Sequence, residues 1–186
     1  MSTANTLQNI FDDIYIKDKW NGGSGPGSFK SNTVEYVGFL NNLIRSLGAT
    51  SFLDVGCGDW QLTSQLDLVG IKYKGIDASE KAVELAKARA PIGTDISVNG
   101  IESVKEIFDF VHIKDVLQHL PNADCDRILY AATKHKKVLI VNDHCDSNQD
   151  INPGGYRPFN AIYWPKSKLV QMFNIGGFNK SAILIG

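Results

Sequence analysis

Short apolar runs alternate with segments of helical periodicity along most of this chain, and few folds accept that alternation. The runs lie at 51–55, 73–77, 95–98, 109–113 and 137–142, and helical segments are expected at 60–67, 79–89, 101–106, 123–134 and 165–174. Short apolar runs of this kind suit strands buried on both faces, and strand–helix–strand units close right-handed onto a parallel sheet. The fold class implied is α/β: a Rossmann-like, doubly wound, mostly parallel sheet of six or seven strands with helices on both faces. A last apolar segment, Ser181 to Ile185, reads as one more strand.

Ahead of this core, residues 5–16 read as an amphipathic helix, and Tyr36, Leu40, Leu43, Ile44 and Leu47 recur at helical spacing over 33–47. Between them, Trp20 to Ser28 holds four of the chain's 17 glycines and reads as a linker or a ligand-binding loop. The expected organisation is one compact domain, with residues 1–48 packed as helices and a glycine-rich loop on a core of 49–186. Charge is balanced, 19 Lys plus Arg against 20 Asp plus Glu among 186 residues, so no basic surplus points to nucleic acid. The longest apolar run, Ile128 to Ala132, is far too short to span a membrane, and no signal peptide is read at the start. Three cysteines without a C-x-x-C pair argue for a reducing compartment, so a cytoplasmic location is expected, with neither disulfide frame nor zinc site.

The first strand runs into Asp54-Val55-Gly56-Cys57-Gly58-Asp59-Trp60. Two glycines there permit a tight turn with no Cβ in a ligand's way, at the carboxyl end of a strand where nucleotides bind. A dinucleotide fingerprint needs a third glycine where Gln61 stands, and Asp54 would repel a diphosphate while suiting an ammonium. Asp77, at the end of the second strand and 19 residues after Gly58, can accept bonds from two ribose hydroxyls. Asn99, after the third strand, reads as a contact to an adenine edge or as a turn residue.

These segments, together with Phe108-Asp109-Phe110-Val111-His112-Ile113-Lys114-Asp115-Val116-Leu117-Gln118-His119-Leu120-Pro121-Asn122, resemble class I S-adenosylmethionine-dependent methyltransferases over about residues 50–145. The resemblance implies that Asp54, Gly56 and Gly58 hold the methionine part, with Asp59 and Trp60 beside them. It implies that Asp77 takes the ribose, that Ala78, Asn99, Gly100 and Ile101 border the adenine, and that Lys114 lies by the sulfonium. Small methyltransferases of this kind carry a similar W…G-S-G-x-G-S stretch as a lid, with Trp20, Ser24, Gly25 and Ser28 as its contacts here. The cofactor implied is S-adenosylmethionine, with S-adenosylhomocysteine as product. The family usually ends on an antiparallel pair of strands. This chain is therefore expected to lack the last strand or to be part of a longer protein, exposing an edge for a homodimer partner.

Methyl transfer needs aligned reactants, exclusion of water and, for a hydroxyl acceptor, a base. Candidates are His119, oriented by Asp115 four residues before it on a helical turn, and His144 after the fifth strand. His112 is expected inside its strand and His135 on the surface. A divalent ion held by Asp115, Asn142 and Asp143 is a variant, not the favoured one. The long aromatic stretch after the fifth strand supplies Tyr156, Arg157, Tyr163 and Trp164 as substrate contacts, with Trp20 from the lid. The activity read from all this is methylation of a hydroxyl on a small molecule or glycan, a sugar above all. An NAD(P)-binding oxidoreductase and a non-catalytic S-adenosylmethionine-binding module are the alternatives.

Overall fold

The structure, a computed structural model, describes residues 3–186, with side chains from residue 7. Seven strands form one sheet: β1 (Ser51–Val55), β2 (Lys72–Asp77), β3 (Ile96–Val98), β4 (Phe110–Lys114), β5 (Lys137–Asp143), β6 (Ser167–Ile175) and β7 (Phe178–Ile185). Their order is β3-β2-β1-β4-β5-β7-β6; β1 to β5 are parallel, and β7 runs antiparallel to both β5 and β6. The α-helices are α1 (Thr3–Ile16), α2 (Lys30–Ser46), α3 (Glu80–Arg89) and α4 (Asn122–Ala132). No described helix is long and apolar enough to cross a membrane.

The period of two along each strand sorts the core into layers. Phe52, Phe110, Leu139 and Ala182 face Tyr36, Leu40 and Ile44 of α2. Their neighbours Leu53, Val111, Ile140 and Ile183 face Cys125, Leu129 and Ala132 of α4 on the other side. Both faces are thus covered, as the unbroken apolar runs require.

Three expected helices give way. Segment 60–67 keeps only the single 3₁₀ turn Thr63–Gln65, and 101–106 only Ile101–Ser103. Segment 165–174 is strand β6, which supplies the partner the sequence was expected to lack and removes the reason given there for an uncovered last strand. The cause is local. Gly176 and Gly177, at φ 63° and 88°, form the two-residue turn favoured by hairpins, because only positive φ at both positions matches the twist of the flanking strands. A bulge between Leu169 and Gln171 then breaks the alternation, which lets the strand mimic a helical spacing. His135 is a further correction: it is buried, and its Nδ1 accepts the Phe108 amide at 3.1 Å.

Candidate active site

The carboxyl ends of β1, β2 and β4 open onto a cavity of about 530 Å³, roofed by α1 and the 17–28 loop. The turn after β1 is built by its glycines. Gly56 and Gly58 have φ of 73° and 60°; a Cβ on Gly56 would stand 2.2 Å from Val116 Cγ2, and one on Gly58 2.3 Å from Ser24 Oγ. The glycines therefore make room for the chain's own neighbours as well as for a ligand.

Asp54 and Asp77 face this cavity with their hydrogen bonds only partly filled. Asp77 Oδ2 accepts the Gly58 amide and Oδ1 the Ser79 amide, each at 2.9 Å, which leaves one lone pair on each oxygen. Burial pushes its carboxyl up to about 6, against the pull of the Ser79, Gly58 and Ala78 amides. Asp54 Oδ2 accepts Thr63 at 2.8 Å and Tyr73 at 3.2 Å, and Oδ1 lies 2.8 Å from His112 Nδ1. Asn99 Oδ1 accepts the Ser103 hydroxyl at 2.6 Å, so its amide NH₂ remains as a donor beside Ala78, Gly100 and Ile101 on the cavity wall. These groups fit a nucleoside that carries two hydroxyls and an amino-acid tail.

The cavity is lined as well by Trp20, Ser28, Lys114, Asp115 and His119. His119 Nδ1 donates to the Gly155 carbonyl at 2.9 Å, which leaves the lone pair on Nε2, met only by the Gln118 side-chain amide at a long 3.5 Å. Burial pulls its pKa below the usual imidazole range, so the ring is neutral at pH 7. Its ring sits between those of Trp20 at 5.1 Å and Tyr156 at 6.0 Å. The orienting group is thus Gly155 rather than Asp115. Asp115, at φ 57°, instead pairs with Lys114 and, at 2.7 Å, with Lys180. Burial alone would raise its carboxyl, but the two ammonium groups hold it below the usual range.

Several expected site residues serve the fold instead. Asp59 is fully buried and accepts Ser24 Oγ at 2.7 Å, Gln61 Nε2 at 2.8 Å and Arg89 at 2.5 Å, which latches the loop onto the β1 turn. These donors outweigh burial and hold its carboxyl low. Trp60 is buried edge-on against Tyr73 at 5.1 Å, outside the cavity. His144 is exposed and lies outside it too. Arg157 is buried, with its guanidinium on the carbonyls of Leu117, Leu120 and Gln149, so it clamps the 146–160 loop down. Tyr163 reaches Asp126 on α4 at 2.9 Å, and Trp164 packs on the core cluster beneath α4; neither lines the cavity. Tyr156 is about half exposed, with its hydroxyl 2.6 Å from Asp143.

The proposed divalent site does not fit this donor set. Asp115 and Asp143 share the buried ammonium of Lys180, and the Asn142 carbonyl oxygen accepts the Gln118 amide at 3.3 Å. Among the described residues no group of three His, Cys, Asp or Glu side chains converges as metal ligands would.

Helix α1 was missed as part of the site: Leu7, Phe11 and Tyr15 line the cavity. The amphipathic pattern marked a helix that docks, but not where. Asp12 fixes that place, accepting Ser79 Oγ at 2.7 Å and the Lys81 amide at 3.0 Å at the start of α3. Arg127 of α4 and Glu102 also line the cavity as an ion pair, again unread in sequence.

Residues 47–175 match the family described as "Methyltransferase domain". A ubiquinone biosynthesis O-methyltransferase of Shewanella sp. strain ANA-3 is 25% identical over 134 residues, 68% of this chain and 49% of that protein. The chain spans about half the length of that curated relative, and less of some others it matches. Magnesium protoporphyrin IX methyltransferase from Synechocystis PCC 6803, solved with SAH, superposes with a TM-score of 0.69 at 14% identity, covering 97% of each chain. The N-methyltransferase NodS from Bradyrhizobium japonicum WM9, in complex with S-adenosyl-L-homocysteine, gives 0.66 at 15% identity over 93% of this chain and 97% of its own. At those identities the likeness speaks for the fold.

Proposed function

The chain belongs to the methyltransferase-domain family, and from that premise we propose that it transfers the methyl group of S-adenosylmethionine to a hydroxyl of a small molecule. With that membership the oxidoreductase alternative loses its ground. The observation that carries the reading is one cavity lined by two carboxylates that each keep acceptor capacity and by a neutral histidine whose Nε2 meets only the Gln118 amide, at a long 3.5 Å.

When bound, S-adenosylmethionine supplies a methyl carbon activated on a sulfonium. Asp77 would take the ribose hydroxyls with its two remaining lone pairs, Asn99 would donate to the adenine edge, and Asp54 would face the ammonium. His119 Nε2 would receive the acceptor's hydroxyl proton as its oxygen turns nucleophilic, while the Gly155 carbonyl holds Nδ1–H and supports the imidazolium. Trp20 and the loop above it keep water out. A base supports a hydroxyl acceptor, which must lose a proton, over a thiolate, which need not. A glycan is the narrower version, supported by the face of Trp20 on the cavity wall; Tyr156, Arg157, Tyr163 and Trp164 lie outside that wall and do not contribute to it.

The test is His119→Gln. Turnover, followed as S-adenosylhomocysteine formed with a panel of hydroxyl acceptors, is expected to fall about 10²- to 10⁴-fold, with the Kd for S-adenosylhomocysteine within twofold of wild type. Unchanged turnover would remove His119 as the base. Wild-type protein that fails to bind S-adenosylhomocysteine in calorimetry would remove the methyltransferase reading itself.

A further inference from the structure

His112 has no place in the reaction as derived so far. It lies mid-strand in β4, 1% exposed, on the face that otherwise packs Phe52 and Phe110 against α2. An apolar side chain would fill that position at no polar cost, whereas a buried imidazole must find partners. It has two. Its Nδ1 is 2.8 Å from Asp54 Oδ1, and its Nε2 is 2.7 Å from the hydroxyl of Tyr36, itself fully buried on α2. A carboxylate oxygen only accepts, so Nδ1 carries the proton and donates, and the Tyr36 hydroxyl donates to Nε2. With a neutral imidazole, the order of donation is Tyr36 to His112 to Asp54.

The remaining lone pairs of Asp54 give this relay a purpose. Oδ2 is filled by the hydroxyls of Thr63 and Tyr73. Oδ1 has His112 as its hydrogen-bond partner and keeps one lone pair, on a residue that lines the cavity. The oxygen left to meet a ligand is therefore the one that His112 holds. His135 makes the contrast: it too is buried, but it braces the Phe108 amide away from the cavity.

We propose that His112, backed by Tyr36, is a positioning residue that aims Asp54 Oδ1 at the ammonium of the cofactor's amino-acid tail, so that tight binding depends on that tail. This rests on the cofactor reading above and deepens it. The test compares two probes by calorimetry: S-adenosylhomocysteine, which carries the tail, and 5′-methylthioadenosine, which lacks it. For His112→Leu, the Kd for S-adenosylhomocysteine is expected to rise at least tenfold while that for 5′-methylthioadenosine stays within twofold. His112→Asn, whose amide can donate from near the Nδ1 position, is expected to recover most of the loss. Should His112→Leu not fold, Tyr36→Phe is expected to give a smaller loss, two- to fivefold, confined to S-adenosylhomocysteine. Equal weakening of both probes, or of neither, overturns the proposal. Wild-type protein that binds neither probe defeats the cofactor reading instead.

Discussion

Asp77 carries its own pH signature. Burial raises its carboxyl to about 6, above the usual carboxylate range near 4. For a group whose folded pKa is raised, the protonated form favours the fold. Stability from Asp77 is therefore full below pH 4 and is lost as pH rises through 6. Binding runs the other way, because a protonated carboxyl no longer offers both oxygens to two hydroxyls. The Kd for S-adenosylhomocysteine is expected to be about tenfold weaker at pH 5 than at pH 7, following the ionised fraction of a group titrating near 6. Asp77→Asn should bind weakly and lose that part of the pH dependence. A wild-type Kd that is flat between pH 5 and 7 would show that Asp77 is not the ribose acceptor.

At the scale of elements, the loop after β5 is held by Arg157 rather than decorated by it. Its guanidinium meets carbonyls on both sides of the turn that carries His119, and the same loop supplies the Gly155 carbonyl that orients the histidine. Arg157→Met removes the guanidinium from these carbonyls and leaves Leu120 O with only the weak Cys125 thiol at 3.6 Å, a cost of about 1–3 kcal/mol. A lower melting temperature and a lower kcat are expected together. A substrate contact would instead raise KM at unchanged melting temperature, and that result would restore the role read from sequence. The difference marks what the chain makes legible. Asp54, Gly56, Gly58, Asp77 and Asn99 could be placed together at the strand ends, where they line one cavity, because backbone chemistry there imposes their types and intervals. Arg157, Tyr163 and Trp164 were not, because composition shows an aromatic loop without showing which face it turns to the cavity. Strands β1 to β5 declared themselves as apolar runs. Strand β6 was hidden by its bulge, although the Gly176-Gly177 turn was a hairpin signal in plain view.

Across the whole molecule, the sheet supplies the floor of the cavity and residues outside it supply the roof, so ligand exchange must work against the roof's attachments. The polar attachments are Asp12 on the start of α3, Ser24 and Gly22 on Asp59 and Gln61, Ser28 on Gln65 and Gly27 on Lys114, beside the apolar packing of Leu7 and Phe11 on the core. The loop that carries most of them has left-handed φ at Asp18, Asn21, Gly22, Gly23 and Gly25, a path with little local preference of its own. Segments outside the sheet can open below the global unfolding free energy, and a ligand enclosed by them shifts that balance. Amide exchange in α1 is therefore expected to slow when S-adenosylhomocysteine is added, while exchange in β1, β4 and β5 changes less. Asp59→Asn sets an NH₂ among donors where the latch needs an acceptor. The ligand is then expected to leave at least tenfold faster, with α1 amides losing their added protection. Exchange in α1 that ignores the ligand, in a protein that calorimetry shows to bind it, would mean that the roof is no gate and that entry runs past Arg127 and Glu102 instead.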